Sequence, residues 1–397
     1  MPKGNSAGAP SKTKSRNARK RANRKNRVQN TTTFNVPSQP IYKATDTAVR
    51  RLQTIPRGNN LSDQGIAFLK CAFAPPDFSA SSLNGVPDQF LGPRLVKKHR
   101  YVSAQTLTST NDYWFVLCPV PGVSHFQLVK AAGTDVAATD YFVAQEYSDK
   151  SSIFGSSAAS VADNVNGFRF ISNHFELIPT VNQTQWSGSI QAWKIPVSTQ
   201  VDPAIGGIFI TGLQGANEAS RAKADQFTGP FIGGFYGGSF SSSCEFLFTF
   251  IQEGVQKYPA ALTSTETSAG AYAGLSSTTN LPGFDSGFEV LVIKVSGMSA
   301  DQSCILKTWA CVEYKVTPSS SLYDYTTVAT RDPVALELYR SVINGLPIGV
   351  PYEMNENFWN RVLQVISQVS RMGSFIPGPV GMISSGVNMV TRGIQNL

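Results

Sequence analysis

Apolar positions in this chain follow two periods. From about residue 100 to 318 they come in short runs, at 113–120, 168–178, 190–197, 288–295 and 304–316. Runs of that length, rich in aromatic and β-branched residues and bounded by turn formers, predict strands. In the last run Leu306, Ala310, Val312, Tyr314 and Val316 share one parity, which predicts a half-buried strand. Cys304 and Cys311, seven apart, then point to opposite faces. The stretches 150–162 and 262–287 are rich in Ser, Thr, Ala and Gly and too long for tight hairpins. They read as outward insertions between the strands of a sandwich. The glycine-rich run GGFYGGSFSSS, 233–243, reads as a flexible turn between strands.

The helical period occurs in three places. In LSDQGIAFLKCAFAPPDF, 61–78, Asp63 is a start signal and Pro75-Pro76 ends any helix. Asp332-Pro333 pairs an N-cap with a first-turn proline, predicting a helix to about residue 344 that Gly345 and Pro347 stop. In 353–397, Phe358, Trp359, Val362, Leu363, Ile366 and Val369 fall on one helical face, with Asn360, Arg361, Gln364, Gln368 and Arg371 opposite. A Gly/Pro-interrupted apolar tail follows. From periodicity two readings stand: a helix docked on the main domain, or one that binds a membrane or a partner.

Composition narrows the class. A chain of 397 residues accommodates two domains or one large β domain with insertions, and 33 Gly, 23 Pro and abundant Ser, Thr, Phe and Tyr favour the second. No apolar run is long enough to cross a bilayer, and no apolar segment follows the basic residues near the N-terminus. That predicts a protein made and kept in the cytosol.

The net charge of +8 is localised. Residues 1–45 hold eleven Lys and Arg and no acid, leaving 23 of the 34 basic residues against all 26 acidic ones. Lys12, Lys14, Arg16, Arg19, Lys20, Arg21, Arg24, Lys25 and Arg27 are its densest part. With almost no large apolar residue before Phe34, this arm cannot bury enough surface to fold alone and reads as disordered. It suits binding of RNA or DNA phosphates without sequence preference, since no aromatic residue stands among the basic residues 12–27 to stack on bases. A targeting or solubility tail is the plainer reading.

Candidate chemistry is sparse. The cysteines at 71, 118, 244, 304 and 311 form no CxxC pair and have no nearby His, so they read as free buried thiols rather than a zinc site. His99, His125 and His174 are scattered and read as ordinary surface or core residues. Asp77 follows the diproline among Phe73, Ala74 and Phe78. It reads either as a turn cap or, if buried, as a carboxyl raised toward neutral pH and able to move a proton. No GxSxG, HExxH or GK[ST] phosphate-loop ending is present.

Several longer motifs nevertheless resemble one family, the capsid precursor of the insect nodaviruses (alphanodaviruses). They are GIAFLKCAFAPPDF (65–78), NGVPDQF (84–90), PVALELYRSV (333–342), NENFWNRV (355–362) and IPGPVGMISSGV (376–387), with WACVEY (309–314) and FRF (168–170) also fitting. The resemblance implies an all-β fold: an eight-stranded antiparallel jelly-roll sandwich with outer-surface insertions. Short helices from both chain ends would form an inner layer, below a disordered basic arm. The expected organisation is 1–60 as RNA-binding arm, 61–355 as shell domain and 356–397 as a released C-terminal peptide.

The resemblance further implies a T=3 icosahedral homo-oligomer of 180 subunits, assembled in the host cytoplasm around single-stranded genomic RNA. After assembly each copy would cut itself once at an Asn-X bond, freeing an amphipathic peptide that disrupts the host endosomal membrane. Carried over by motif, the scissile Asn is Asn355, the bond is Asn355–Glu356 and the catalytic acid is Asp77. Relatives usually place Ala or Ser after the Asn; Glu356 departs from that, and Asn357–Phe358 is a second candidate bond. The family also implies calcium at subunit contacts, through Asp163, Glu245 and Glu253. Gln214 and Leu247 stand where others carry acids, so fewer or weaker sites are expected. Contacts with a host receptor would fall on the insertions. The rival reading is a non-viral nucleic-acid-binding β-sandwich whose C-terminal helix docks on the core.

Overall fold

The computed structural model describes residues 62–73, 85–90, 92–137, 140, 142–149, 151–154, 164–180, 187–202, 207–221, 225–241, 245–251, 283–343 and 346–354. All of them belong to the second of two compact units, Lys43–Leu397.

Two antiparallel sheets dominate. Sheet A runs in the order β1 (Leu95–Leu107), β13 (Gln302–Val316), β5 (Val165–Pro179), β10 (Phe235–Ser239), β14 (Gly349–Val350), and β11 (Thr249–Phe250) also pairs with β5. Sheet B runs β4 (Val143–Glu146), β3 (Val123–Ala131), β2 (Asn111–Leu117), β12 (Val290–Ser296), β6 (Ser189–Ile195), β9 (Gln226–Pro230). A separate two-stranded pair joins β7 (Ser198–Asp202) to β8 (Gly207–Thr211). Two eleven-residue helices, α1 (Asp63–Phe73) and α2 (Pro333–Ile343), complete the frame, with one-turn helices at Ser151–Phe154 and Glu218–Arg221. The five predicted strand runs appear as β2, β5, β6, β12 and β13.

Alternation along the strands builds two apolar cores on either side of sheet B. Phe115, Leu117, Ile190, Ala192, Leu291 and Ile293 face Phe175, Leu177, Phe235 and Leu306 of sheet A. The intervening Trp114, Val116, Trp193, Val290 and Val292 face outward together with Phe126 of β3, packed against Phe142, Leu213 and Phe284. Strands buried on both faces lose their polar alternation, which is why β2 and β12 read as continuous apolar runs. Each large side chain buried this way contributes about 1.5–3 kcal/mol.

Two expectations need correction. The run 233–243 contains β10, a strand paired with β5 on one side and β14 on the other. Its glycines are there for close approach: a Cβ on Gly237 would meet the Phe235 ring at 2.5 Å and the Ile348 carbonyl at 2.8 Å, and one on Gly238 would meet His174 at 2.8 Å. The half-buried reading of β13 also fails in its second half, because Thr308–Tyr314 is buried on both faces. Trp309, Cys311 and Glu313 lie on the outer face of sheet A, where other chain segments cover them. Cys304 and Cys311 do face opposite ways: Cys304 is in the inter-sheet core, whereas Cys311 meets Cys71 of α1.

Candidate functional site

The outer face of sheet A carries both helices, and one pair of side chains starts them together. Ser62 is the cap of α1, its Oγ accepting the Gly65 N–H at 3.0 Å. Asp332 caps α2, its Oδ1 accepting the Ala335 N–H at 3.0 Å. The other Asp332 oxygen accepts the Ser62 N–H at 2.7 Å and the Ser62 hydroxyl at 2.6 Å. The Asp332-Pro333 signal is thus borne out, while the start of α1 is Ser62 rather than Asp63. Gly65 lets the two helices meet, since a Cβ there would run into Asp332 and Ala335.

Aromatic packing then fixes the direction of α1. Phe68 contacts Phe246 and Tyr339; one turn and a half later Phe73 stacks on Tyr339, at 5.3 Å between centroids, and meets Phe240 at a tilt, at 5.9 Å. The Tyr339 hydroxyl accepts the Ser241 N–H at 3.0 Å. The C-terminal end of α1 therefore lies over the end of β10. Farther along the same strand, Tyr236 pairs in register with Val350 of β14. The chain then turns through the 3-10 segment Tyr352–Met354, held by Met354 N–H to the Pro351 carbonyl at 2.9 Å. Gly234, at φ +60, makes this passage possible, for a Cβ would meet the Leu177 carbonyl at 2.5 Å and Tyr352 at 2.8 Å.

Phe240 and Tyr236 are four residues apart, about 13 Å along a strand, and the His174 ring contacts both, at 5.4 and 5.7 Å. Burial pushes His174 down to about 3, so this imidazole is neutral at physiological pH and is no acid. His99, His125 and His174 are all buried, as the core reading expected.

A buried ionic cluster holds the next stretch of chain. Glu313 Oε1 accepts Arg94 Nη1 and Arg169 Nη2, both at 2.8 Å, and its Oε2 accepts the Val86 N–H at 2.7 Å. Asp88 takes Arg169 on one oxygen, and Arg94 at 3.4 Å plus the Phe90 N–H at 3.0 Å on the other. Burial lowers the Arg169 pKa, but Glu313 and Asp88 outweigh it and hold the guanidinium above its ordinary value. The cluster pins 85–90 against sheet A, and the Asp332 N–H bonded to the Pro87 carbonyl at 2.9 Å ties it to α2.

The segment 74–84 with Asp77 is thus bounded by two anchored ends, Phe73 and Gly85–Val86. Asp77, Asn355 and Glu356 lie outside the described residues, as do Asp163, Glu253, the arm residues from Lys12 to Arg27, and Phe358, Trp359, Val362, Leu363, Ile366 and Val369. Of the expected metal ligands only Glu245 is described; it is exposed, two residues before Leu247, which is 70% exposed. Among the described residues no group of three or more His, Cys, Asp or Glu could hold a metal ion. Sequence reasoning missed the ionic cluster. Its signal was present as charges inside apolar runs, in FRF and WACVEY, where a buried charge requires a partner.

Two packed antiparallel sheets, with two helices laid on the outer face of one of them, form the frame of this molecule, and comparison with known proteins specifies its kind. The Peptidase A6 family model matches residues 61–396. Capsid protein alpha of Black beetle virus is 34% identical over 370 residues, covering 89% of this chain and 90% of that protein. Capsid protein alpha of Pariacoto virus is 34% identical over 396 residues, covering 94% and 97%. That of Flock house virus is 34% identical over 340 residues, covering 83% of each. The chain belongs to the Peptidase A6 family of alphanodavirus capsid precursors. Among solved structures, infectious bursal virus derived T=1 particles are similar with a TM-score of 0.48 at 11% identity, over 77% of this chain and 98% of that one.

Proposed function

We propose that this capsid protein is a self-cleaving precursor: it forms a T=3 shell of 180 copies around single-stranded RNA, then cuts Asn355–Glu356 and frees 356–397 as a membrane-active peptide. One observation carries the cleavage reading. The described residues that lead into the two segments bearing Asp77 and Asn355 pack along one strand: Phe73 contacts Phe240 just past one end of β10, and β14, which leads into Tyr352–Met354, pairs with Tyr236 and Gly237, although 281 positions separate Phe73 from Met354 in sequence.

The chemistry needs only those two side chains. The Asn355 side-chain nitrogen attacks its own backbone carbonyl carbon, forming the new C–N bond of a five-membered imide. The C–N bond to Glu356 breaks and its nitrogen leaves as an amine. The proton lost from the attacking amide passes to the Asp77 carboxylate and on to the departing nitrogen, so the carboxylate is regenerated. Both reacting groups belong to one chain, so orientation supplies much of the rate.

Strand order supports an eight-stranded jelly roll. β1, β13, β5 and β10 are consecutive neighbours in one sheet and β2, β12, β6 and β9 in the other. Taken in chain order, β1, β2, β5, β6, β9, β10, β12 and β13 pass between the sheets as two interleaved Greek keys do. The basic arm supplies the RNA contacts, and Asp163, Glu245 and Glu253 the calcium contacts between copies. Family membership removes the non-viral sandwich alternative.

Mass spectrometry of aged particles tests the cleavage. The expected result is a fragment beginning at Glu356, absent from Asp77→Asn particles that assemble normally. Cleavage that persists in Asp77→Asn removes Asp77 from the mechanism, and a fragment beginning at Phe358 moves the bond.

A further inference from the structure

Among the described cysteines one pair meets. Cys71 lies in the last turns of α1, and Cys311 on the covered face of β13, at the register shift between Cys311 and Val312. The two thiols hydrogen-bond to each other, and both are fully buried. Ser172, directly opposite Cys311 on β5, donates its hydroxyl to the Cys71 carbonyl at 2.8 Å and hydrogen-bonds the Cys311 sulfur. Cys118 and Cys304 sit in the two separate apolar cores. From this contact we infer that Cys71 and Cys311 form a disulfide that staples the helical layer to the sandwich in particles exposed to an oxidant.

The surroundings make the two sulfurs unequal. Burial raises both. At Cys311 the contacts with the Cys71 thiol and with Ser172, together with the charge of Lys98, more than offset that and hold its pKa below the ordinary thiol value. Cys71 stays well above it. With peroxide as oxidant, the Cys311 thiolate attacks one peroxide oxygen, the O–O bond breaks, and a sulfenic acid and hydroxide result. Cys71 then attacks that sulfur, an S–S bond replaces the S–O bond, and the second water leaves with the Cys71 proton. Overall two thiols and one peroxide give one disulfide and two waters. Both sulfurs are covered by α1, so the reaction requires the helix to lift transiently. Closing it afterwards ties Cys71 to a strand 240 positions away, a long loop of the kind whose closure most restrains the unfolded chain. A particle assembled among reduced thiols would thus acquire the staple outside and lose it again in a reducing compartment.

The test uses intact particles of the full chain. They are treated with hydrogen peroxide or diamide, alkylated, digested without reductant and mapped by mass spectrometry. The expected result is a Cys71–Cys311 cross-linked peptide as the dominant disulfide, with a higher thermal unfolding midpoint that dithiothreitol reverses. Cys71→Ser and Cys311→Ser should each abolish both changes. Free alkylated Cys71 and Cys311, oxidation of each to a separate acid, or cross-links to Cys118, Cys244 or Cys304 would overturn the inference. Mapping of the wild-type chain decides this even if a variant misfolds.

Discussion

Glu313 is the residue on which the most buried charge depends. It is fully buried and serves two guanidiniums and a backbone N–H with two oxygens. Two arginines and two carboxylates, Asp88 and Glu313, balance formally. Such a cluster is weak support for stability as a whole, because desolvation offsets most of the attraction. Removing one member is another matter. Glu313→Gln leaves Arg94 and Arg169 with only the more exposed Asp88 as a carboxylate partner. We expect a loss of about 3–5 kcal/mol, measured from the urea unfolding midpoint; a change within about 0.5 kcal/mol would show that water reaches the cluster. Gly85 belongs to the same design, because a Cβ there would meet Glu313 at 2.6 Å and Arg94 at 2.8 Å.

At the scale of elements, the Ser62–Asp332 pair joins α1 to α2 across 270 positions of sequence. Asp332→Ala removes the cap of α2 and the anchor of the Ser62 cap together. The expected cost is about 1–2 kcal/mol. A double-mutant cycle with Ser62→Ala should show strong non-additivity, because either change breaks the same bond; additive effects would mean that the caps act separately. Much of this was legible beforehand. Strand runs, both helix stops and the Asp332 cap follow from local period and turn chemistry. β10 was not legible, because its glycines make room for the ring of Phe235 in the same strand and for Ile348 and His174 from distant parts of the chain, and local sequence reads such glycines as turn formers. β1 was obscured for a related reason. At the edge of sheet A its polar Lys, Arg, Ser and Gln side chains alternate with small or apolar ones, and no continuous apolar run marks it. Of the site, the motifs propose Asp77 and Asn355, which lie outside the described residues, and the packing of Phe73 and β14 on β10 beside them depends on sheet order and aromatic contacts that no local window contains.

For the whole molecule, pH dependence follows from three buried groups that oppose one another. His125, enclosed by Tyr101, Phe115 and Phe175, and His174 are each pushed down to about 3 by burial. A folded pKa below the unfolded value of roughly 6.5 means stability that is present above that value and lost progressively as pH falls toward 3. Between pH 7 and 5 each histidine costs about 2 kcal/mol. Asp285 acts in the other direction. Burial raises it to about 6, despite N–H bonds from Phe170 at 2.9 Å and Gly287 at 3.0 Å. Its contribution is full below the ordinary aspartate value and is lost as pH rises through 6, so acidification over the same interval returns about 1 kcal/mol. The balance is a net loss of roughly 3 kcal/mol between pH 7 and 5. Urea midpoints measured at both pH values should show it. His125→Phe, which keeps the aromatic contacts and removes the proton site, should reduce the loss by about 2 kcal/mol, whereas Asp285→Asn should enlarge it. If His125→Phe leaves the pH dependence unchanged, the acid sensitivity lies outside the sandwich, in the contacts between copies.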